Sequence, residues 1–455
     1  MTGEHPVEAR VRRQLASLGF GARPRRCLVA LSGGCDSVTL LYLLRFPLAG
    51  LQLVLEAAHL DHAMRPDSAA DACWVRGLCR AWGVPIHSSR LEQPPRSEQE
   101  ARDARYAFLR QCAEKAGAEV ILTAHHADDQ AETVLFRIAR GTGLRGLAGM
   151  RTRAGDLVRP LLGVWREELA AYAEERGLAW RTDVTNRSLD PARNRIRHQI
   201  LPMLERSVAP GARRNLVSLA EIAAEAEAAL ERMAKAAEAD LVTWEDGAPL
   251  LARDRLHLYD SAVTSRVLRN LLRRFGVVPG RMGTRRALQF ITGAESGRVM
   301  PLSDRLQIEI EFDRARLSTT RPPGPADRGF QIDSADAAGE ASIRIGGVDY
   351  RIRYGRSERG DFPEDSWTFR ADVTSLAFPL RVRGWEDGDR MRTQSGRRSL
   401  KKIFLERRVP RSRRRRLPLL VDASGEVLWV AGLPPDRPGG GGVPHDPFIV
   451  RVLHA

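Results

Sequence analysis

At 455 residues and 43% hydrophobic content, the chain is long enough for several globular domains, each with a core of its own. Lys+Arg 72 against Asp+Glu 57 leaves a net charge of +15, a surplus that favours a polyanionic partner, most often nucleic acid. No stretch approaches the ~18 consecutive apolar residues of a membrane span. The first residues lack the apolar core of a secretory signal, and five cysteines (27, 35, 73, 79, 112) form no C-x-x-C pair. A reducing, cytoplasmic location is expected, without a zinc or iron–sulfur site in the chain.

Residues 26–141 alternate short β-like runs with helical stretches. Strands are expected at 27–31, 52–59, 84–88 and 119–124, with helices at 37–46, 68–82, 97–117 and 127–140. Such alternation builds βαβ units, a parallel sheet with helices on both faces, and ligands lie beyond the carboxyl ends of its strands.

The first polar cluster is Ser32-Gly33-Gly34-Cys35-Asp36-Ser37, directly after the apolar run Cys27–Leu31. Two glycines permit a tight turn, and the apolar helix that follows aims free N–H groups and a positive dipole end at one point, where phosphates would fit. The loop is shorter than G-x-x-x-x-G-K-[ST] and has no lysine. A bare Gly-Gly turn would not need the polar Ser32, Asp36 and Ser37. After the second strand, Ala58–Arg65 supplies His59, Asp61, His62 and Arg65, a set able to bracket a purine and its phosphates; a solvated loop is the alternative. The charge pairs of Glu100–Leu109 are ordinary for a surface helix. After the fourth strand, Thr123–Thr133 brings His126, Asp129 and Glu132 to a helix start. Carboxylates beside a phosphate loop suit Mg²⁺, with Asp36 and Asp129 the candidate ligands; acidic capping of a helix is the rival.

A helix is expected over Trp165–Arg176, then a basic polar stretch at 181–186. Arg193, Arg195, Arg197 and His198 follow within six residues, suited to phosphates of ATP or RNA or simply solvated. Helices are expected at Arg213–Ala239 and Tyr259–Phe275, a linker at 321–327, and strands within 342–353. Residues 397–416 hold eleven Lys/Arg against one Glu, with Leu400, Ile403, Phe404 and Val409 interleaved. One face can pack while the other stays cationic, which suits a phosphate backbone.

Taken together, SGGCDS (32–37), AHLDHAMR (58–65), EARDARYAFL (100–109), TAHHADDQAETVLFRIARGTGLRGLAGM (123–150), RPLL (159–162), RTDVTN (181–186), RNRIRHQILPML (193–204) and the basic C-terminal segment resemble the tRNA(Ile)-lysidine synthetase family, PP-loop ATP pyrophosphatases. The resemblance implies an α/β fold class. An N-terminal parallel-sheet PP-loop (adenine nucleotide alpha hydrolase-like) domain would be followed by a helical domain and a smaller C-terminal α/β domain. The expected divisions are 1–210 catalytic, 211–320 helical and tRNA-binding, 321–377 linker and strand-rich, and 378–455 basic and tRNA-binding. It also implies ligation of free L-lysine to C2 of the wobble cytidine of a CAU-anticodon tRNA(Ile), with ATP cleaved to AMP and pyrophosphate. AUG decoding would become AUA.

On this reading Ser32, Gly33, Gly34, Cys35, Asp36, Ser37 and His59 bind ATP, with Mg²⁺ at Asp36 and Asp129. Asp36, His126, Asp129 and Arg195 carry catalysis. Arg193, Arg197, Lys401, Lys402, Arg407, Arg411 and Arg413 hold the tRNA. Related enzymes commonly form dimers, so a homodimer is implied. A PP-loop tRNA thiolase, or an RNA-binding protein without catalysis, are the other readings; the absence of a C-x-x-C pair weighs against the first and the intact SGGCDS against the second.

Overall fold

The computed structural model describes residues 4–64, 68–181, 192–319, 327, 329–356, 365–393, 396–434 and 446–454. Arg65, most of the 181–186 stretch and nearly all of the expected linker lie outside the described residues. Two compact units are present, Met1–Ala229 and Leu230–Ala455.

In the first unit, helix α1 (Pro6–Ser17) precedes β1 (Arg25–Ala30), α2 (Cys35–Arg45), β2 (Leu53–Asp61), α3 (Ser68–Ala81), β3 (Ile86–Arg90), α4 (Glu98–Ala116), β4 (Val120–Leu122) and α5 (Ala127–Ala139). All the expected strands and helices of 26–141 are there, β3 displaced by two residues and β4 shortened. Short α6 (Leu144–Leu147), β5 (Arg153–Ala154), β6 (Leu157–Val158) and α7 (Arg166–Glu175) follow. The sheet order is β3-β2-β1-β4-β6-β5, parallel except for the edge strand β5.

Period-two alternation explains the two-faced core. Cys27 and Val29 of β1 face a cluster shared with α1, α2, α3 and α7, whereas Leu28 faces Tyr106, Leu109 and Cys112 of α4. Helix α2 buries Val38, Leu40, Leu41, Leu43 and Leu44, so it is apolar on nearly every side and runs inside the unit. Each of these leucines removed from water contributes about 1.5–3 kcal/mol, and together they hold the loop before the helix in place. The chain moves from β1 to one side (β2, β3) and returns to the other (β4). Loops after β1 and β4 therefore diverge at the point where such folds open a ligand crevice.

After α7 come α8 (Ala192–Arg195), a π-helical stretch (Ile196–Ile200), α9 (Leu201–Ser207) and the 30-residue α10 (Ala212–Leu241), inside which the two units meet.

The second unit begins with β7 (Val242–Glu245) and β8 (Ala248–Ala252), continues with the amphipathic α11 (Ser261–Arg274) and α12 (Arg281–Gly293), and then β9 (Val299–Ser303), β10 (Leu306–Glu311) and β11 (Arg314–Thr319). The helices expected here share the region with a five-stranded antiparallel sheet, β7-β8-β11-β10-β9, which the helical periodicity of 211–276 does not announce. Beyond it, β12 (Phe330–Ile332), β13 (Gly339–Ile345), β14 (Val348–Arg356), β15 (Thr368–Asp372), β16 (Leu380–Arg383), β17 (Arg390–Thr393) and β18 (Gly396–Ser399) lead to α13 (Leu400–Glu406) and α14 (Arg411–Arg414). Strands β19 (Leu419–Val421), β20 (Val427–Val430) and β21 (Pro447–His454) complete two further sheets. The basic segment folds as those two short helices, with Leu400, Ile403, Phe404 and Val409 in a core. No helix among the described residues is long and apolar enough to cross a membrane.

Candidate active site at the carboxyl ends of β1 and β4

The loop after β1 is tied by its own hydroxyls. Ser32 and Ser37 Oγ lie 3.0 Å apart, Ser37 Oγ donates to Gly34 O at 3.0 Å, and Ser32 N donates back to Ser37 Oγ at 3.2 Å. Gly33 sits at φ +88°, where a Cβ would come within 2.9 Å of Val75 Cγ2. Gly34 caps α2 with no side-chain oxygen, so the first-turn N–H groups stay available to an anion. His59 is buried; its Nδ1 donates to Leu31 O at 2.8 Å and pins the start of the loop to β2. Cys35 occupies the first helical position, its thiol pushed up chiefly by burial.

Asp36, in the first turn of α2, meets the β4 loop. Its Oδ2 is 3.7 Å from His126 Nε2, while its Oδ1 is buried without a partner. Burial raises its carboxyl above the ordinary range, against the pull of His126 and Arg166. His126 also has Asp128 Oδ2 and Asp129 Oδ2 at 3.5 Å each. Burial opposes its imidazolium, but the three carboxylates outweigh that and raise its pKa. His125 is pushed down by burial despite Asp129.

The carboxylates are themselves answered. Asp128 accepts from Arg166 N at 2.9 Å and Arg213 Nη1 at 2.7 Å. Asp129 Oδ2 accepts from His126 N at 3.0 Å; its Oδ1 accepts from Arg193 at 3.2 Å and Arg197 at 2.9 Å. Glu132, 1% exposed, takes Arg193 Nε at 2.9 Å and Arg197 Nη2 at 3.0 Å. Burial works against ionisation of Asp129, and His126 with the arginines overcomes it, so its pKa is lowered.

Of the expected site residues, the structure brings together 32–37, His59, His126, Asp129, Arg193 and Arg197. Arg195 is exposed, whereas Arg193 and Arg197, four positions apart, turn to the carboxylates. Lys401, Lys402, Arg411 and Arg413 are exposed in the second unit, and half-buried Arg407 donates to Pro434 O. Sequence reading missed the partners of Asp128, namely Arg166 N and Arg213, and the clamp on Glu132. An R-x-x-x-R spacing opposite D-x-x-E was the available signal for the clamp.

Residues 4–204 match the family model of a PP-loop domain, and residues 380–439 match that of the TilS substrate C-terminal domain. The tRNA(Ile)-lysidine synthase of Geobacter sulfurreducens is 33% identical over 457 residues, covering 94% of this chain and 93% of the relative. That of Thermotoga sp. (strain RQ2) is 31% identical over 415 residues, covering 89% and 91%. The chain belongs to the tRNA(Ile)-lysidine synthase family. A third member, from Thermus thermophilus, is 40% identical over 317 residues, covering 67% of this chain and 59% of its own. Membership makes this chain an ATP-using ligase with a PP-loop domain, and the loop at 32–37 stands where that domain needs it.

Mg²⁺ is the ion such ATP chemistry uses, and Asp36 fits it best: its buried Oδ1 lacks a partner, as a carboxylate awaiting an ion would. Both Asp129 oxygens are already hydrogen-bonded. Among the described residues no group of three or more His, Cys, Asp or Glu is arranged to hold an ion alone. Mg²⁺ takes few protein ligands and completes its shell with waters and substrate phosphates.

Proposed function

We propose that the chain joins L-lysine to C2 of the wobble cytidine of a CAU-anticodon tRNA(Ile) in two steps at the β1–β4 crevice. The cytosine C2 oxygen attacks the α-phosphorus of ATP, and pyrophosphate leaves. The lysine ε-amino group, as the free amine, then adds at C2; the C2–O bond breaks, AMP departs and the nitrogen gives up a proton. The observation that carries this reading is the meeting of an uncapped helix start, the open Asp36 carboxylate and His126 at one crevice.

In this reading the backbone of 32–37 receives the ATP phosphates, and Asp36, with Asp129 beside it, would hold Mg²⁺. When bound, the ion neutralises charge on the departing pyrophosphate. His126, favoured as imidazolium by three carboxylates, offers positive charge to the phosphate oxygens. Proton acceptance from the lysine amine then falls to a carboxylate of the cluster. Asp129 and Glu132, buried and paired with two arginines, give an incoming ammonium group a place to exchange with a guanidinium. Arg195, exposed at the same helix, reaches outward to the nucleic acid or the triphosphate. The four-part division at 210, 320 and 377 belongs to the same proposal, with the basic C-terminal part holding the tRNA body through Lys401, Lys402, Arg407, Arg411 and Arg413.

Asp36→Ala tests the reading. Pyrophosphate release falls by at least about a hundredfold while tRNA retention on a filter is unchanged; an Asp36→Ala protein releasing pyrophosphate at the parent rate overturns it.

A further inference from the structure

The second unit contains a cavity of ≈1040 Å³ that no step above uses. Glu309 and Glu311, two positions apart on β10, both line it. Glu311 is 3% exposed; its Oε1 accepts from Arg316 Nε at 2.9 Å and from Ser412 Oγ, while its Oε2 is buried without a partner. Glu309 is 9% exposed and makes no hydrogen bond among the described residues. Burial, and then the charge of Glu311, push its carboxyl up, which favours the protonated form as a donor. A second wall is aromatic: Trp367 and His454 meet edge to face at 4.8 Å, with Tyr350 behind them. At the rim Arg408 pairs with Asp313 and Arg416 with Asp246, but Arg413 is exposed and in no ion pair among the described residues.

These features define the ligand. An orphaned carboxylate oxygen is costly, by about 1–3 kcal/mol, unless a donor reaches it. A cation is a poor donor here, because Arg316, Arg411 and Arg415 already act on Glu309. The fit is a ligand with neutral N–H donors at one end, a flat face for Trp367 and His454, and an anionic group for Arg413. Adjacent N–H donors beside an acceptor are the edge of guanine; uracil and cytosine would set an acceptor against the carboxylate, and adenine offers one donor group.

We propose that this cavity binds a guanine nucleotide, with N1–H and N2–H on Glu311, O6 toward Glu309, the purine against Trp367 and His454, and the phosphate on Arg413. It lies in a different unit from the ATP loop and stands independently of the lysine chemistry.

Equilibrium dialysis of the full chain against labelled GMP, with excess unlabelled ATP filling the loop at 32–37, tests it. GMP binds saturably and at least about tenfold tighter than AMP, CMP or UMP. Glu311→Gln lowers GMP affinity about tenfold, and so does Glu309→Leu, which breaks no hydrogen bond of the fold and so stays informative if Glu311→Gln unfolds. Competition by the dinucleotide GpA that exceeds GMP assigns the guanine to an RNA strand. Weaker competition assigns it to a free mononucleotide; either upholds the guanine site. Equal binding of all four nucleotides, no binding, or GMP affinity unchanged in folded Glu309→Leu overturns the proposal.

Discussion

The two glycines of SGGCDS are equivalent in the sequence and unequal in the structure. Gly33 at φ +88° has Val75 Cγ2 2.9 Å from where a Cβ would stand, whereas Gly34 meets nothing nearer than Ser32 Oγ at 3.6 Å. Gly33→Ala therefore costs about 1–3 kcal/mol and Gly34→Ala well under 1 kcal/mol, read as a larger fall in melting temperature for the first; equal falls would contradict this account of the turn. The cysteines divide as sharply. Cys73 is exposed, while Cys27 is pushed up to about 12 and Cys79 to about 11, both by burial. At pH 8 those two remain thiols, so iodoacetamide labels Cys73 in the native protein and reaches Cys27 and Cys79 only on unfolding, as mass spectrometry of timed samples would show. Residue identity at the loop was legible because few side chains suit a phosphate turn. The conformations that separate Gly33 from Gly34 arise from packing against α3, which no local pattern encodes.

At the scale of elements, the decisive contact is between α5 and the segment carrying Arg193 and Arg197. Each arginine touches both Asp129 and Glu132. One guanidinium can cover for the other, so single Arg193→Ala and Arg197→Ala changes are mild. The double change strands a buried Glu132 and costs about 3–5 kcal/mol in urea unfolding, more than the sum of the singles; simple additivity would contradict the clamp. The alternation of strands and helices over 26–141 was readable because central parallel strands are apolar on both faces. The pairing of α5 with residues 61 to 68 positions onward was not, since charge spacing shows which groups share a face but not which faces meet. The sheet β7–β11 escaped for a related reason: β10 and β11 carry Glu309, Glu311, Arg314 and Arg316 among their apolar residues, and buried charge on a strand reads as a polar loop.

Over the whole molecule, the net charge of +15 pointed to nucleic acid before any fold was known. The structure divides the 397–416 cations by task. Arg414 is 7% exposed, donates to Val409 O at 2.9 Å and lies 5.7 Å from the Phe404 ring centre, so it supports the fold. Lys401, Lys402 and Arg411 are exposed. Replacing those three by alanine flattens the dependence of log K for tRNA on log salt by roughly 2, while Arg414→Ala lowers stability and leaves the slope alone. The reverse pattern would contradict the division. The central claim is that one crevice activates a tRNA carbonyl with ATP and then admits lysine. Its most direct test is pyrophosphate release from ATP with and without unmodified CAU-anticodon tRNA(Ile), in the presence of labelled L-lysine. The account predicts release that requires this tRNA and label recovered at the wobble cytidine in equal amount. Release without lysine in the tRNA, or tight tRNA binding with no release, would contradict it.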